Sequence, residues 1–539
     1  MASLKFELSA DGASYRVVGV GLFGKNTEAV DIPAEYKGLP VTAIGDRAFY
    51  QLMKLRSVTI PDSVKSIGAY SFWRCFRMTD IVIPDSVTSI GAYAFQYCDG
   101  LTDITIPETV TAIEENAFAG CGILTIRCDA TDKPAGWSDD WHGDTPVAWK
   151  VLPENQRLEF KLNGTGDAYS VTGIGAFEGV ELELPEEYKG KPVVAIEKEA
   201  FSGCERLTSV TVPETVTRIG AGAFKGCKNL QSINVDAYNK AYSSIDGNLY
   251  NEDGTVLVQY AAGKTDTSFA VPHGVTVIGN SAFFGVCALR EVTIPDGVTK
   301  IGDNAFDSCK DIASVTIPDS VTALGFGAFF SCDRLRSVSI GCGVTRILPC
   351  TFGSCLCLEE IFIHKGIVKI DGSVFSRCTS LKGVFVDEDN PEYKSVDGNL
   401  YSKDGTVLIH YAAGKTDVSF TIPRGVAVIG DYAFSYCDRL MAVSIPDGVR
   451  SIGRYAFVTC GGLTTAVIPE GVTDIGTYAF FSCTALKSVD IPESVSVIGS
   501  RVFSGCRRVT LHCAAAQKPD GWDASWSEGC PVVWDYKGE

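Results

Sequence analysis

Apolar residues recur along most of this chain with a period of 23 residues. The dipeptide Ile-Pro begins at Ile60, Ile83 and Ile106, and the spacing returns in later parts of the sequence. One unit reads I-P-x-x-V-x-x-I-G-x-x-A-F-x-x-C-x-x-L-x-x-V-x. Apolar and polar positions alternate where one unit runs into the next, which predicts a short strand with one buried face, and the Pro ends that strand because it lacks an N–H for a ladder. Since 23 residues cannot bury an apolar face alone, the units must stack into a solenoid with a continuous parallel sheet.

The repeats fall into two arrays. A Phe at a fixed place marks four repeats in residues 1–150 and eleven in residues 151–539. Each array begins with a related segment that contains Tyr-Lys-Gly and ends with a Trp-rich segment, the second of which starts at Cys513. We interpret these segments as caps that shield the open apolar ends of two tandem solenoids. A sugar-binding aromatic platform is the alternative for the Trp-rich ends.

Two long inserts interrupt the second array. Residues 235–272 and 386–423 align with each other without gaps. Asp253-Gly254 and Asp404-Gly405 lie between apolar runs, a strong signal for a β-hairpin turn. We expect each insert to be a hairpin that protrudes from the stack.

Most of the cysteines follow the repeat. Thirteen of the twenty come three residues after the repeat Phe, and Leu52 or Val286 takes this place elsewhere. A position that accepts Cys, Leu or Val is a core position, so we expect buried, reduced thiols there. Cys513 and Cys530 lie outside this series and form a candidate disulfide pair.

Composition narrows the range of functions. The formal net charge is −18, which disfavours nucleic acid and anionic lipid as partners, and no Lys/Arg-rich stripe stands out. No apolar run approaches the length of a membrane span, and the chain begins without a signal peptide, so a cytoplasmic location stays open.

The unit resembles the leucine-rich repeat of BspA-like bacterial surface proteins, also called the Treponema pallidum type. The resemblance covers nearly the whole chain and includes the inserts and the ends with Trp522 and Trp526. It implies an α/β leucine-rich-repeat solenoid, rich in β-structure and wound as a right-handed superhelix. It also implies a cell-surface or secreted protein that adheres to host or other cell-surface macromolecules.

Sequence motifs for catalysis, cofactor binding or metal binding are weak. Gly19-x-Gly21-x-x-Gly24 matches a dinucleotide fingerprint, but the helix that should follow is missing. The five His residues form no metal or catalytic motif, and we expect each at the surface or rim. Asp387-Glu388-Asp389-Asn390 resembles part of a calcium loop, for which a solvated loop is the favoured alternative. We therefore expect no catalytic residue, cofactor or metal.

The exposed strand positions are mostly Thr and Ser, and two aromatic residues break this pattern. Phe362 and Phe385 lie in adjacent repeats immediately before the second insert. Adjacent exposed aromatic rings are typical of binding hot spots, and Arg336, Glu359 and Lys382 lie beside them in the repeat. The alternative is that the insert folds back over the rings.

These observations favour a monomeric, non-catalytic protein that binds a protein or glycoconjugate ligand without inserting into a membrane. An adhesin-like surface protein is the first hypothesis. An intracellular scaffold for protein–protein interactions is the second, and thiols in a reducing compartment fit it.

Overall fold

The computed structural model describes residues 3–21, 26–150, 153, 155 and 157–537. Contacts divide the chain into two compact units, Met1–Pro153 and Glu154–Glu539. In both units most 23-residue turns contribute two strands to two separate parallel ladders: one of two to four residues, called here the long strand, and one of two residues, called the short strand. Partners lie 23 residues apart, as in the pairs Ser314 with Ser337 and Val277 with Lys300.

The first unit opens with an antiparallel cap and continues as stacked turns. Its cap strands are Leu4–Leu8, Tyr15–Val20, Glu35–Tyr36 and Leu39–Ile44. The long strands are Ala29–Asp31, Ser57–Thr59, Asp80–Ile81, Asp103–Ile106, Thr125–Cys128 and Val147–Trp149. The short strands are Ser66–Ile67, Ser89–Ile90 and Ala112–Ile113.

The second unit repeats this plan over a longer stack. Its cap and first short strand are Glu159–Leu162, Tyr169–Gly173, Glu187–Tyr188, Lys191–Ile196 and Arg218–Ile219. The long strands are Glu181–Glu183, Ser209–Val212, Ser232–Val235, Ser268–Ala270, Glu291–Thr293, Ser314–Ile317, Ser337–Ile340, Glu360–Ile363, Gly383–Val386, Ser419–Thr421, Ala442–Ser444, Thr465–Val467, Ser488–Ile491, Thr510–Cys513 and Val532–Val533. The remaining short strands are Val277–Ile278, Lys300–Ile301, Ala323–Leu324, Arg346–Ile347, Lys369–Ile370, Val428–Ile429, Ser451–Ile452, Asp474–Ile475 and Val497–Ile498.

The predicted solenoid with parallel ladders is confirmed, but its helical component reduces to turns. Among the described residues no segment is an α-helix. The chain between a short strand and the next long strand contains residues with left-handed backbone angles, such as Arg47 with φ 56° and Gln51 with φ 59°. A right-handed helix cannot continue through such residues, so this side of each turn folds as a chain of tight corners.

Stacked aromatic rings fill the interior. Phe306 and Phe329 are parallel to within 2°, with ring centroids 5.0 Å apart, and Phe457 and Phe480 repeat this geometry at 4.9 Å. The ladder thiols lie beside this column, and Cys98 donates from Sγ to the carbonyl oxygen of Phe72 at 3.2 Å. The core is therefore a set of columns in which each turn contacts the same side chains of the next.

The Trp-rich end of each unit packs on the last turn of its stack. Trp141 and Trp526 are buried, and each packs edge-on against the last Phe ring of its array. Trp137 and Trp522 donate from Nε1 to the carbonyl oxygens of Val110 and Val495, both at 3.0 Å. Buried rings with satisfied N–H groups support capping and not a sugar platform.

The inserts differ from the expected protruding hairpins. Each is a three-stranded antiparallel meander whose third strand joins the short-strand ladder of the following turns. The meander strands are Tyr242–Ile245, Asn248–Asn251, Val256–Gln259, Tyr393–Val396, Asn399–Ser402 and Val407–His410. The hairpin tip packs on the stack, because Ile233 donates from its backbone N–H to the oxygen of Gly247.

Each insert also contains a complete turn that the Phe pattern does not reveal. Tyr260 stacks on Phe283 at 5.2 Å and Tyr411 on Phe434 at 5.3 Å, so both tyrosines take the place of the repeat Phe. The second unit thus has two turns in addition to the eleven repeats that the Phe pattern marks. Only part of each 36-residue insert is additional to the repeat.

The ladders are interrupted at the inserts. The long strands Ser232–Val235 and Ser268–Ala270 belong to different sheets, as do Gly383–Val386 and Ser419–Thr421. The buried core separates into clusters near the same places, between Leu249 and Tyr250 and between Leu400 and Tyr401. We call the three resulting parts of the second unit its first, middle and last blocks.

Candidate functional site

Phe362 and Phe385 lie side by side on the exposed face of the middle block. Their Cα atoms are partners in the pairing of two neighbouring long strands. Ile361 and Ile363 point into the core, so the alternation of the strand turns Phe362 outward. The Phe362 and Phe385 residues are 53% and 44% exposed, which shows that the second insert does not cover the rings.

The two rings are at the end of a column of smaller side chains. In the preceding turns the same strand position holds Thr293, Thr316 and Ser339. The Phe385 ring lies over Gly383, where an added Cβ would lie only 2.7 Å from it. The missing side chain at Gly383 therefore gives the ring its resting place against the sheet.

Charged side chains precede the same strands. Lys382 Nζ lies 2.7 Å from Glu359 Oε2, and the hydrogen bond from Lys382 lowers the pKa of Glu359, with a smaller contribution from Arg336. All three side chains are exposed, so the pair contributes little to stability. The structure thus brings the five residues chosen from the sequence onto three adjacent turns.

The thiols mostly follow the sequence prediction. Twelve of the thirteen ladder cysteines are buried; Cys204 is half-buried because it begins the column of the second unit. All twenty cysteines are free, so the candidate disulfide between Cys513 and Cys530 is not formed. Cys530 instead occupies the ladder position of the terminal turn, with Sγ 3.7 Å from the oxygen of Phe503.

One histidine contradicts the expectation of rim positions. His410 is 1% exposed, and neither ring nitrogen has a hydrogen-bond partner. Burial lowers its pKa from 6.5 to about 4. Its residue type gave no signal of burial, because the meander that encloses it was read as a protruding hairpin.

The glycine motif and the acidic loop, which resemble a dinucleotide fingerprint and part of a calcium loop, have structural roles. Gly24 of the glycine motif lies outside the described residues, and Gly19 belongs to a cap strand paired with Lys5. Asn390 of the acidic loop is buried and donates from Nδ2 to the oxygens of His364 and Ile367 at 3.0 and 2.9 Å. Within the part of the chain that the structure describes, no group of three or more metal-binding side chains could hold an ion.

Comparison with known proteins identifies the repeat. The family model described as BspA type leucine rich repeat region matches in six copies, over residues 24–133, 176–252, 261–382 and 414–515. No curated protein matches the chain. The described residues contain no helix that is long and apolar enough to cross a membrane.

Several solved structures are similar. A leucine-rich repeat protein from Eubacterium ventriosum is 20% identical, with 89% of this chain and 92% of that one covered and a TM-score of 0.33. A leucine rich cell surface protein from Faecalibacterium prausnitzii is 26% identical, with 82% and 94% covered and a TM-score of 0.29. The T. pallidum leucine-rich repeat protein is 26% identical, with 43% and 91% covered and a TM-score of 0.25.

Proposed function

Because this chain belongs to the family of BspA-type leucine-rich-repeat proteins, we propose that it is a non-catalytic, adhesin-like protein that is displayed on the cell surface or secreted. The leucine-rich-repeat solenoid is typically a binding scaffold without enzymatic activity, and family members are often associated with the surface. Its ligand would be a protein or glycoconjugate. A stacked solenoid offers a preformed surface, so binding requires little ordering of the chain.

The exposed pair of Phe362 and Phe385 carries the proposal. The rings occupy neighbouring turns on a rigid sheet, where a partner would bury both at once. Each ring could contribute about 2 kcal/mol to binding in a well-packed contact. Arg336, Glu359 and Lys382 form the polar border of this surface.

Binding to immobilised extracellular-matrix glycoproteins tests the proposal. The double change Phe362→Ser and Phe385→Ser should weaken binding at least tenfold and leave the melting temperature nearly unchanged. Met441→Ser with Val467→Ser is the matched control, since these side chains are also exposed beside or on long strands, in the last block. Strong destabilisation by the Phe changes, or equal binding by all variants, would contradict the proposed site.

An intracellular scaffold is the second candidate. Cys287 and Cys342 are exposed free thiols, which persist most easily in a reducing compartment. Antibody staining of intact and permeabilised source cells distinguishes the two locations. Staining that requires permeabilisation would favour the scaffold.

A further inference from the structure

The turn before the first insert leaves two backbone donors without acceptors. In most turns the N–H of the repeat Phe, and the N–H two residues before it, donate to carbonyl oxygens of the next turn, as from Phe201 to Ala223 at 2.8 Å. Phe224 and Gly222 hold these places in the last turn before the insert, and within the described part of the chain their N–H groups have no hydrogen-bond partner. The insert displaces the carbonyl groups that would accept these bonds, so both donors remain available to a ligand.

Both donors border a cavity between this turn and the insert. The cavity has a volume of about 200 Å³, and its walls include Gly222, Phe224, Gln259 and Asn280. This volume lies below the roughly 300–1,000 Å³ of pockets for drug-sized ligands, so only a small molecule fits. All the residues that line the cavity are uncharged, within a chain whose net charge is −18. A small anion therefore meets no acidic wall there.

Gln259 adds a buried acceptor to the wall of this cavity. The residue is 3% exposed, and its Nε2 donates to the oxygens of Tyr260 and Ala282. These two bonds leave Oε1 as the other end of the amide, and it accepts no hydrogen bond from any described residue. Buried polar atoms in folded proteins normally have partners, so this oxygen is available to a donor of the ligand.

Asn280 adds a third donor. Its Oδ1 accepts from the N–H of Asp303 at 2.9 Å, and its Nδ2 has no partner among the residues that the structure describes. Gly222 has φ 65°, and a corner with a left-handed residue turns neighbouring N–H groups towards one side, an arrangement that binds anions. The cavity thus offers three donors that suit a carboxylate, together with one acceptor.

The second insert shows why the cavity forms at the first one. Gly372 takes the place of Ala221 there, and a Cβ on Gly372 would lie only 2.5 Å from the backbone oxygen of Asp431. Asn280 is the residue equivalent to Asp431. The methyl group of Ala221 prevents such a close approach, so the two turns stay apart and leave the cavity between them.

We propose that this cavity binds a short aliphatic carboxylate with a hydrogen-bond donor next to its carboxyl group, as in a small hydroxy acid or amino acid. The carboxylate accepts from the N–H groups of Gly222 and Phe224, and the hydroxyl or ammonium group donates to Oε1 of Gln259. The short carbon chain packs against Val256 and Val258, which also line the cavity. This site is separate from Phe362 and Phe385 and goes beyond the proposed binding of a macromolecule.

Calorimetric titration of the full-length protein with L-lactate, L-alanine and propionate tests the inference. Lactate, alanine or both should bind with a Kd about tenfold lower than that of propionate, which has no donor for Gln259. A preference for lactate or for alanine identifies the donor as a hydroxyl or an ammonium group. If none of the three acids binds at millimolar concentration, or if propionate binds as well as the other two, the inference is overturned.

Asn280→Asp locates the binding in this cavity. The change introduces the residue of the second insert, keeps an acceptor for Asp303 and replaces a donor by a negative charge. It should raise the Kd at least tenfold, because the new carboxylate repels that of the ligand. Gln231→Glu is the matched control, since it adds the same charge at an exposed position outside the cavity and should leave the Kd unchanged. Undiminished binding by Asn280→Asp would overturn the inference.

Gln259→Leu tests the role of the buried acceptor. The variant should bind lactate and alanine as weakly as propionate, whereas the Kd of propionate should stay the same. Melting curves show whether the loss of the two Nε2 hydrogen bonds unfolds this variant, and the result for Asn280→Asp does not depend on it. A folded Gln259→Leu variant that still prefers lactate or alanine to propionate would overturn the assigned orientation and with it the inference.

Discussion

The hydroxyl of Thr145 donates a hydrogen bond to the carbonyl oxygen of Phe118 at 2.9 Å. In the turns before it, a cysteine thiol makes the same bond, as from Cys121 to Phe95 at 3.1 Å. A Cys or Thr at the ladder position thus fills space in the core and also donates a hydrogen bond to the preceding turn, which Leu52 and Val286 cannot do. This explains why cysteine is frequent at the position without any disulfide.

Substitution of Cys332 should separate these two contributions. Cys332→Ala removes both the sulfur and the bond to Phe306, and we expect a loss of about 1–2 kcal/mol in unfolding free energy. Cys332→Ser keeps a donor of nearly the same size and should cost less. Thermal melting of the full chain compares the variants, and a larger loss for Ser than for Ala would contradict the role of the hydrogen bond.

Thiol reactivity should follow burial. Cys287 and Cys342 are exposed and should react within minutes with an aromatic disulfide reagent. The fourteen buried cysteines should react only after unfolding, because burial excludes the reagent and raises pKa values, that of Cys75 to about 12. Peptide mass spectrometry reads each site, and denatured protein should give twenty labels. Fast labelling of ten or more native thiols would contradict the buried ladder.

His410 should make the protein sensitive to acid. Its pKa falls from 6.5 to about 4 on folding, so the unfolded chain takes up the proton first. The stability associated with neutral His410 is fully present above pH 6.5 and is lost as the pH falls towards 4, by roughly 3 kcal/mol. Melting curves between pH 8 and pH 4 measure this loss.

The equivalent residue of the first insert supplies the matched variant. Gln259 donates from Nε2 to the oxygens of Tyr260 and Ala282 at 3.0 and 3.1 Å. His410→Gln should therefore stabilise the protein, most strongly at low pH. Gln259→His should have the opposite effect. An unchanged melting profile for His410→Gln would show that the ring is not buried as described.

A left-handed corner offers a stabilising change. Ser331 has φ 53°, and glycine occupies the equivalent corner in other turns, as at Gly226. Ser331→Gly should raise the unfolding free energy by about 0.5–1 kcal/mol, since glycine adopts this angle without steric cost. Ser337→Gly, in a long strand, should lower it by a similar amount. Urea unfolding of the two variants, monitored by hydrogen exchange of the backbone amides in the middle block, compares their unfolding free energies.

Much of the fold was predictable because each turn repeats the same contacts. The 23-residue period and the alternation before Ile-Pro predicted the stacked turns with parallel ladders and the outward direction of Phe362. Tyr260 and Tyr411 were missed because each is a tyrosine that lies 36 residues after the preceding repeat Phe. The pattern of a Phe every 23 residues therefore does not include them.

The likeness of the two inserts has a consequence for how such genes change length. Asn239 and Asn390 bind equivalent backbone oxygens in the turns before them, and the two inserts lie 151 residues apart in the same register. A recombination event that joins Val235 to Asp387 would remove the middle block and leave one intact insert between matching surfaces. The shortened protein would keep both ends of its second unit and lose Phe362 and Phe385. Gain or loss of a ligand could thus occur in a single genetic step.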